Sequence, residues 1–348
     1  MNVPFRPRRA LAVTAAAALG IACLPLAACS SDAGGSDSSQ ALSVAASFYP
    51  IQYLAQAVGG EHVNVTSVTP TNVEPHDYEL APKDVTALSG TDLVVYVPGF
   101  QPSLDDALSE VSGPDVLDLT DAVELTHHDG VEHDHDDARK DAHDDSHDDS
   151  HNHDGDVDAH GDHADEADAD HAEEHDADAA DPHFWLDPVR MQSAAQAIET
   201  ALSQADPNHA DDYQANLSSL TETLEGLDSD YSTGLAQCER TTFVTSHAAF
   251  GYLADRYGLT QASVSGVDPE SEPSPAELAA VKKIVQETGT TTIFTEDLVS
   301  SKTADALAAE TGATTAVLNP LESAPSSGDY ADAMSANLQE LRTALSCQ

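Results

Sequence analysis

Residues 42–68, LSVAASFYPIQYLAQAVGGEHVNVTSV, read as one complete β-α-β unit. The apolar run 42–48 predicts a buried strand. Pro50 stands where helices favour proline, in the first turn, and Gly59-Gly60 ends that helix. Residues 63–68 then alternate apolar and polar like a half-buried strand. The rhythm continues outward. Residues 82–89 predict a helix, 93–97 a buried strand, 102–111 a helix and 116–119 a short strand. Alternating strands and helices imply an α/β lobe on a mostly parallel sheet.

Past residue 181 the rhythm resumes. Asp187 is an N-cap with Pro188 at the first helical position, and Met191, Ala194, Ala195, Ile198, Ala201 and Leu202 recur at helical spacing. Pro207 starts a longer amphipathic stretch carrying Tyr213, Leu217, Leu220, Leu224 and Leu227, which predicts a long connecting helix. A second α/β series follows: strand 241–245, helix 248–257, helix 275–287, strand 291–295, helix 302–311, strand 315–318 and a final helix 329–346. Ser274 and Glu277 form a capping box around Pro275. The expected fold class is therefore α/β, with two similar lobes joined by a long helix.

The chain has 348 residues, which suggests two domains. Its formal net charge is −49, from 62 acidic against 13 basic residues. Such a chain repels phosphate backbones, so no nucleic-acid partner is expected, and cations are the natural ligands. The charge is unevenly placed. Residues 127–180 hold 12 of the 17 histidines and 22 acids with almost no large apolar side chain, which predicts a disordered His/Asp-rich loop that collects metal weakly. Within it, His171 to His175 matches the H-x-x-E-H pattern, but that chemistry needs a packed helix. No HExxH, P-loop or GxSxG pattern is present, and no enzyme is expected.

Arg6, Arg8 and Arg9 precede an apolar run of 17 residues, 10–26, with the layout of a secretory signal. It closes on Leu26-Ala27-Ala28-Cys29, which resembles the bacterial lipobox, and that resemblance implies lipidation of Cys29 after removal of residues 1–28. Residues 29–41 form a flexible tether. The chain is thus expected outside the cytoplasm, held at the cell membrane by lipid alone. Cys23 leaves with the signal, so Cys238 and Cys347 remain in an oxidising compartment and are expected to pair, pinning the last helix to the strand near residue 241.

Outside the tract only five histidines remain. His62 and His209 have no distinctive context and are expected at the surface. His76, His183 and His247 lie in Glu74-Pro75-His76-Asp77-Tyr78, Asp181-Pro182-His183-Phe184-Trp185 and Ser246-His247-Ala248-Ala249-Phe250. Each is expected at a strand end or in the loop after it, where open sheets place ligands. Two belong to the first lobe and one to the second, so a site using all three lies in the inter-lobe cleft. Three imidazoles favour Zn²⁺, whereas Mn²⁺ or Ca²⁺ calls for more carboxylates.

The segments EPHDYELAP (74–82), DPHFWLDP (181–188), SHAAFGYL (246–253) and SGVDPESEPSP (265–275) closely resemble the high-affinity zinc-binding lipoproteins, the solute-binding components of metal ABC importers. That group also contains manganese receptors and adhesin-like relatives. The resemblance spans roughly 42–347 apart from the insert. It implies metal held between the lobes by His76, His183 and His247, and delivery to an ABC permease with its ATPase. Manganese-type relatives typically have a carboxylate at the third position, so His247 points to zinc. The fourth position is expected to be water or Asn319, then Glu74 or Glu296. The expected organisation is a first lobe of 42–126 plus 181–205, a linking helix within 206–237 and a second lobe of 238–348, acting as a monomer. The competing expectations are a manganese receptor of the same fold, and a surface adhesin or zinc buffer without transport.

Overall fold

The computed structural model describes residues 41–128 and 180–348. The signal, Cys29, most of the tether and nearly all of the His/Asp tract lie outside them.

The first sheet contains β1 (Leu42–Ala46), β2 (Val63–Ser67), β3 (Leu93–Tyr96) and β4 (Asp115–Asp118), in the order β2-β1-β3-β4. All its pairings are parallel. The second repeats the plan with β5 (Thr242–Thr245), β6 (Thr260–Ser263), β7 (Thr292–Thr295) and β8 (Thr314–Val317), in the order β6-β5-β7-β8, again parallel throughout. In each sheet the strand order reverses beside the first strand. That switch point is where the carboxyl ends of parallel strands open a crevice.

Helices α1 (Tyr49–Gly59), α2 (Pro82–Leu88), α3 (Pro102–Glu110) and α4 (Thr120–Val123) belong to the first lobe. Proline at the start of α1, α2 and α3 costs no hydrogen bond there. Helix α5 (Pro188–Ala205) is capped by Asp187, whose carboxylate accepts from the Val189 amide at 2.8 Å. The connector α6 (Ala210–Gly234) has 25 residues, a length of about 37 Å at 1.5 Å per residue. It buries Tyr213, Leu217, Leu220, Leu224, Leu227 and Tyr231 on one face. The second lobe adds α7 (Gly251–Tyr257), α8 (Pro275–Thr288), α9 (Lys302–Thr311) and α10 (Tyr330–Leu345). Both halves of the Ser274–Glu277 capping box are formed. One apolar core runs from Val44 and Ile51 through Trp185, Ile198 and Leu224 to Phe243, Leu318 and Met334.

Three differences from the sequence reading have physical causes. Strand β6 is additional to the sequence pattern, because Thr-Gln-Ala-Ser carries no large apolar side chain and buries only Ala262 and Ser263. Helix α7 starts at Gly251 rather than 248, because the Ala248 amide donates to the Gly266 carbonyl and the His247 carbonyl accepts from Thr245 and Gln261. Finally, α4 is a single short turn with too little periodicity to stand out. A disulfide joins Cys238 to Cys347, closing α10 onto the segment before β5.

Candidate metal centre

Four strand-end or turn segments bring one donor each to the crevice. The loop after β2 carries His76. Glu74 braces it, accepting from the amides of His76 at 3.0 Å and Asp77 at 3.1 Å. The His76 ring meets the Phe100 ring edge-on at 4.5 Å. His183 precedes a buried 3₁₀ turn (Phe184–Leu186) that leads into α5, so it does not follow a strand directly. Asp181 turns the chain there: one carboxylate oxygen accepts from the His183 amide at 2.9 Å and meets ring Nδ1 at 2.7 Å. His247 lies two residues past β5. Its Nδ1 meets Glu296, the first residue beyond β7, at 2.7 Å. The loop after β8 supplies Glu322.

The donor atoms converge closely. Glu322 Oε1 lies 3.4 Å from His76 Nε2, 3.4 Å from His183 Nε2 and 3.5 Å from His247 Nε2. The two Nε2 atoms of His183 and His247 are 3.4 Å apart. A tetrahedron with arms of ~2.0–2.1 Å, as zinc prefers, has edges of about 3.3–3.4 Å. Among the described residues these four form the group whose ligand atoms all lie within 4.8 Å of one another. His183, His247 and Glu322 are buried, and His76 keeps slight exposure. His76 Nε2 and Glu322 Oε1 are buried yet make no hydrogen bond, an arrangement that is costly without a cation to satisfy them.

Electrostatics point the same way. Burial opposes charge on Glu322, yet its carboxyl sits well below the ordinary carboxylate range because three imidazoles surround it. Burial also opposes the charged form of His247, but Glu296 and Glu322 outweigh it and lift its pKa to about 10. His183 is raised despite full burial, through Asp181 and then Glu322. Such a site holds positive charge firmly, as protons or as metal. Two imidazoles present Nε2 inward while a carboxylate faces Nδ1, the outer-partner arrangement that orients metal-binding histidines.

The three expected histidines are therefore together. Asn319 is elsewhere: its Oδ1 accepts from the Leu321 amide at 2.8 Å, and its backbone pairs with the Asn337 side chain at 3.0 and 2.7 Å. It shapes the Glu322 loop instead of entering the cluster. Glu74 and Glu296 stand behind the histidines in the same supporting manner. Sequence alone does not single out Glu322, one acid among 62. The available signal was an acid four residues beyond the predicted strand 315–318. His62 and His209 stack on each other at 3.8 Å, each paired with an aspartate, Asp212 and Asp206.

Two parallel α/β lobes with a His₃Glu cluster at their shared crevice define a two-lobed cation-binding receptor. The chain belongs to the family described as zinc-uptake complex component A, periplasmic (ZnuA), which matches residues 44–344. It is 34% identical to the high-affinity zinc uptake system protein ZnuA of Bacillus subtilis over 339 residues, covering 92% of this chain and 94% of that protein. It is 32% identical over 306 residues to the zinc-binding lipoprotein AdcA of Streptococcus pneumoniae, covering 86% of this chain but spanning only 55% of AdcA. Among solved structures it resembles the laminin-binding protein Lmb of Streptococcus agalactiae, described as bifunctional with adhesin and metal-transporting activity. The TM-score is 0.69 at 30% identity, over 87% of this chain and 99% of that one.

Proposed function

We propose that this protein captures Zn²⁺ in the crevice between its lobes and hands it to an ABC permease for ATP-driven import. Zinc is the cargo, and His76, His183, His247 and Glu322 are its ligands. The observation that carries the reading is that Glu322 Oε1 lies 3.4–3.5 Å from three inward-facing Nε2 atoms, with all four donor atoms within 4.8 Å of one another and two of them otherwise unsatisfied. Three imidazoles and one carboxylate suit zinc better than manganese. Four protein ligands also fill a tetrahedral shell, whereas catalytic zinc keeps a position open, so the site captures rather than activates.

The lipobox-like Leu26-Ala27-Ala28-Cys29 supports a lipid anchor on Cys29 outside the cytoplasm, and the likeness to the AdcA lipoprotein supports the same reading. No helix among the described residues is long and apolar enough to cross a membrane. The tract histidines would collect zinc loosely nearby. Calorimetry on the whole chain and on a form lacking 129–179 tests this. One tight zinc site persists in both, while the weak sites vanish with the tract; loss of the tight site with the tract would refute the assignment. Radiolabelled zinc uptake in cells lacking the gene tests the import role, and unchanged uptake would favour the adhesin reading that the likeness to Lmb supports.

A further inference from the structure

Asp181 has two oxygens and serves two histidines. Oδ1 faces His183 Nδ1 at 2.7 Å, and Oδ2 faces His128 Nδ1 at 2.6 Å, at a sequence separation of 53. The other nitrogen of His128, Nε2, reaches Asp255 Oδ2 on α7 of the second lobe at 3.0 Å. The ring lies on Gly251, where an added Cβ would come within 2.4 Å of its Cγ. It also meets the Tyr252 ring edge-on at 4.5 Å. Tyr252 completes the seat: its hydroxyl accepts from the Thr126 amide at 2.8 Å and donates to the Asp181 carbonyl at 2.6 Å. The Asp181 amide in turn donates to the Thr126 carbonyl at 2.8 Å. His128 belongs by sequence to the His/Asp-rich stretch, yet it occupies a formed, glycine-floored seat.

We propose that His128 is a positioning residue of the metal centre. By holding one oxygen of Asp181 it fixes the carboxylate whose other oxygen orients His183, and through Asp255 it pins that carboxylate to the second lobe. The inference rests on the reading of His183 as a zinc ligand. Its physical basis is that Asp181 is fully buried, so an oxygen deprived of its partner is costly and the carboxylate turns to recover a donor. Any such turn moves the Nδ1–H acceptor of His183 and degrades the aim of Nε2. His128 stands one step further from the metal than Asp181, so its loss belongs at the low end of the 10–100-fold range for outer partners.

The test uses the full chain and two readouts: zinc affinity by chelator competition, and the His183 Nδ1–H proton in ¹⁵N-edited NMR of the zinc-loaded protein. His128→Ala weakens zinc binding about 10-fold and shifts or broadens that proton signal. Gly251→Ala acts in the same direction, because its methyl displaces the ring. His128→Gln keeps an N–H donor for Asp181 and restores most of the affinity. If His128→Ala lowers the melting temperature but leaves zinc affinity and the His183 proton unchanged, the seat is purely structural and the inference falls. If the wild-type chain has no tight zinc site, the proposed function falls first and takes this inference with it.

Discussion

The Trp185 indole N–H donates to the Pro320 carbonyl at 2.7 Å. A residue of the DPHFW segment thereby holds the loop that brings Glu322 to the crevice from the other lobe. Tyr330 in α10 closes the circuit by donating its hydroxyl to the Trp185 carbonyl. The same loop is further tied by the Asn72 amide, which donates to Ser323 Oγ at 2.7 Å, and it contains Leu321 at φ +61°. A buried leucine in the left-handed region is sterically costly and persists only where its surroundings hold it. Trp185, Asn337 and Asn72 supply that hold. Replacing Trp185 by Phe keeps much of the ring packing but leaves the Pro320 carbonyl unpaired. The expected loss is about 1–3 kcal/mol of stability, read by denaturant unfolding, together with weaker zinc binding from a loosened Glu322.

Asn319 and Glu322 separate the two versions of the fourth ligand. Glu322→Gln should weaken zinc binding by more than the ~10–100-fold that an outer partner contributes, because it removes the charged donor. Asn319→Ala should leave most of the affinity and cost about 1 kcal/mol of stability through the lost loop hydrogen bond. Chelator competition on both variants decides the point. Equal losses would return Asn319 to the ligand set.

The His247 value sets a pH dependence. Its pKa rises from the ordinary 6.5 to about 10 in the metal-free fold. At pH 7–8 the ring therefore carries a proton that zinc must displace. Zinc binding should release protons, and apparent affinity should climb as pH rises from 6.5 towards 10. Metal-free stability runs the other way: a raised folded-state pKa stabilises fully below 6.5, and that contribution is lost as pH passes through 10. Calorimetry in buffers of different ionisation enthalpy measures the proton count; a value of zero at pH 7 would contradict this.

The Cys238–Cys347 disulfide spans 109 residues and lies at the far end of α10 from the cluster. Its reduction should cost about 2–5 kcal/mol of stability while leaving zinc affinity of the folded protein unchanged. Thermal melts and zinc titrations with and without reductant check both halves.

Much of this architecture was legible because local and global signals agree. The unit β1-α1-β2 combines an apolar run, a first-turn proline and a terminating Gly-Gly. The Ser274–Glu277 box announces α8 from four residues. The three cluster histidines stand out because each sits near aromatics, outside the tract. What stayed hidden depends on approach through space. Glu322 is one acid among 62 and gains its role only when its loop is drawn across by Trp185. His128 is one histidine among 12 in a low-complexity stretch, and only the glycine floor of α7 and the oxygen of Asp181 set it apart. Strand β6 pairs through its backbone and the Gln261 amide, which donates to Thr245 Oγ1 at 2.7 Å, with side chains that carry no apolar pattern.

The most direct measurement is a crystal structure of the protein with zinc bound, with the metal located by anomalous scattering at its absorption edge. The expected result is one fully occupied ion bonded to Nε2 of His76, His183 and His247 and to a carboxylate oxygen of Glu322, at ~2.0–2.2 Å in tetrahedral geometry. An ion bonded to Asn319, or one that leaves Glu322 outside the coordination shell, would contradict it.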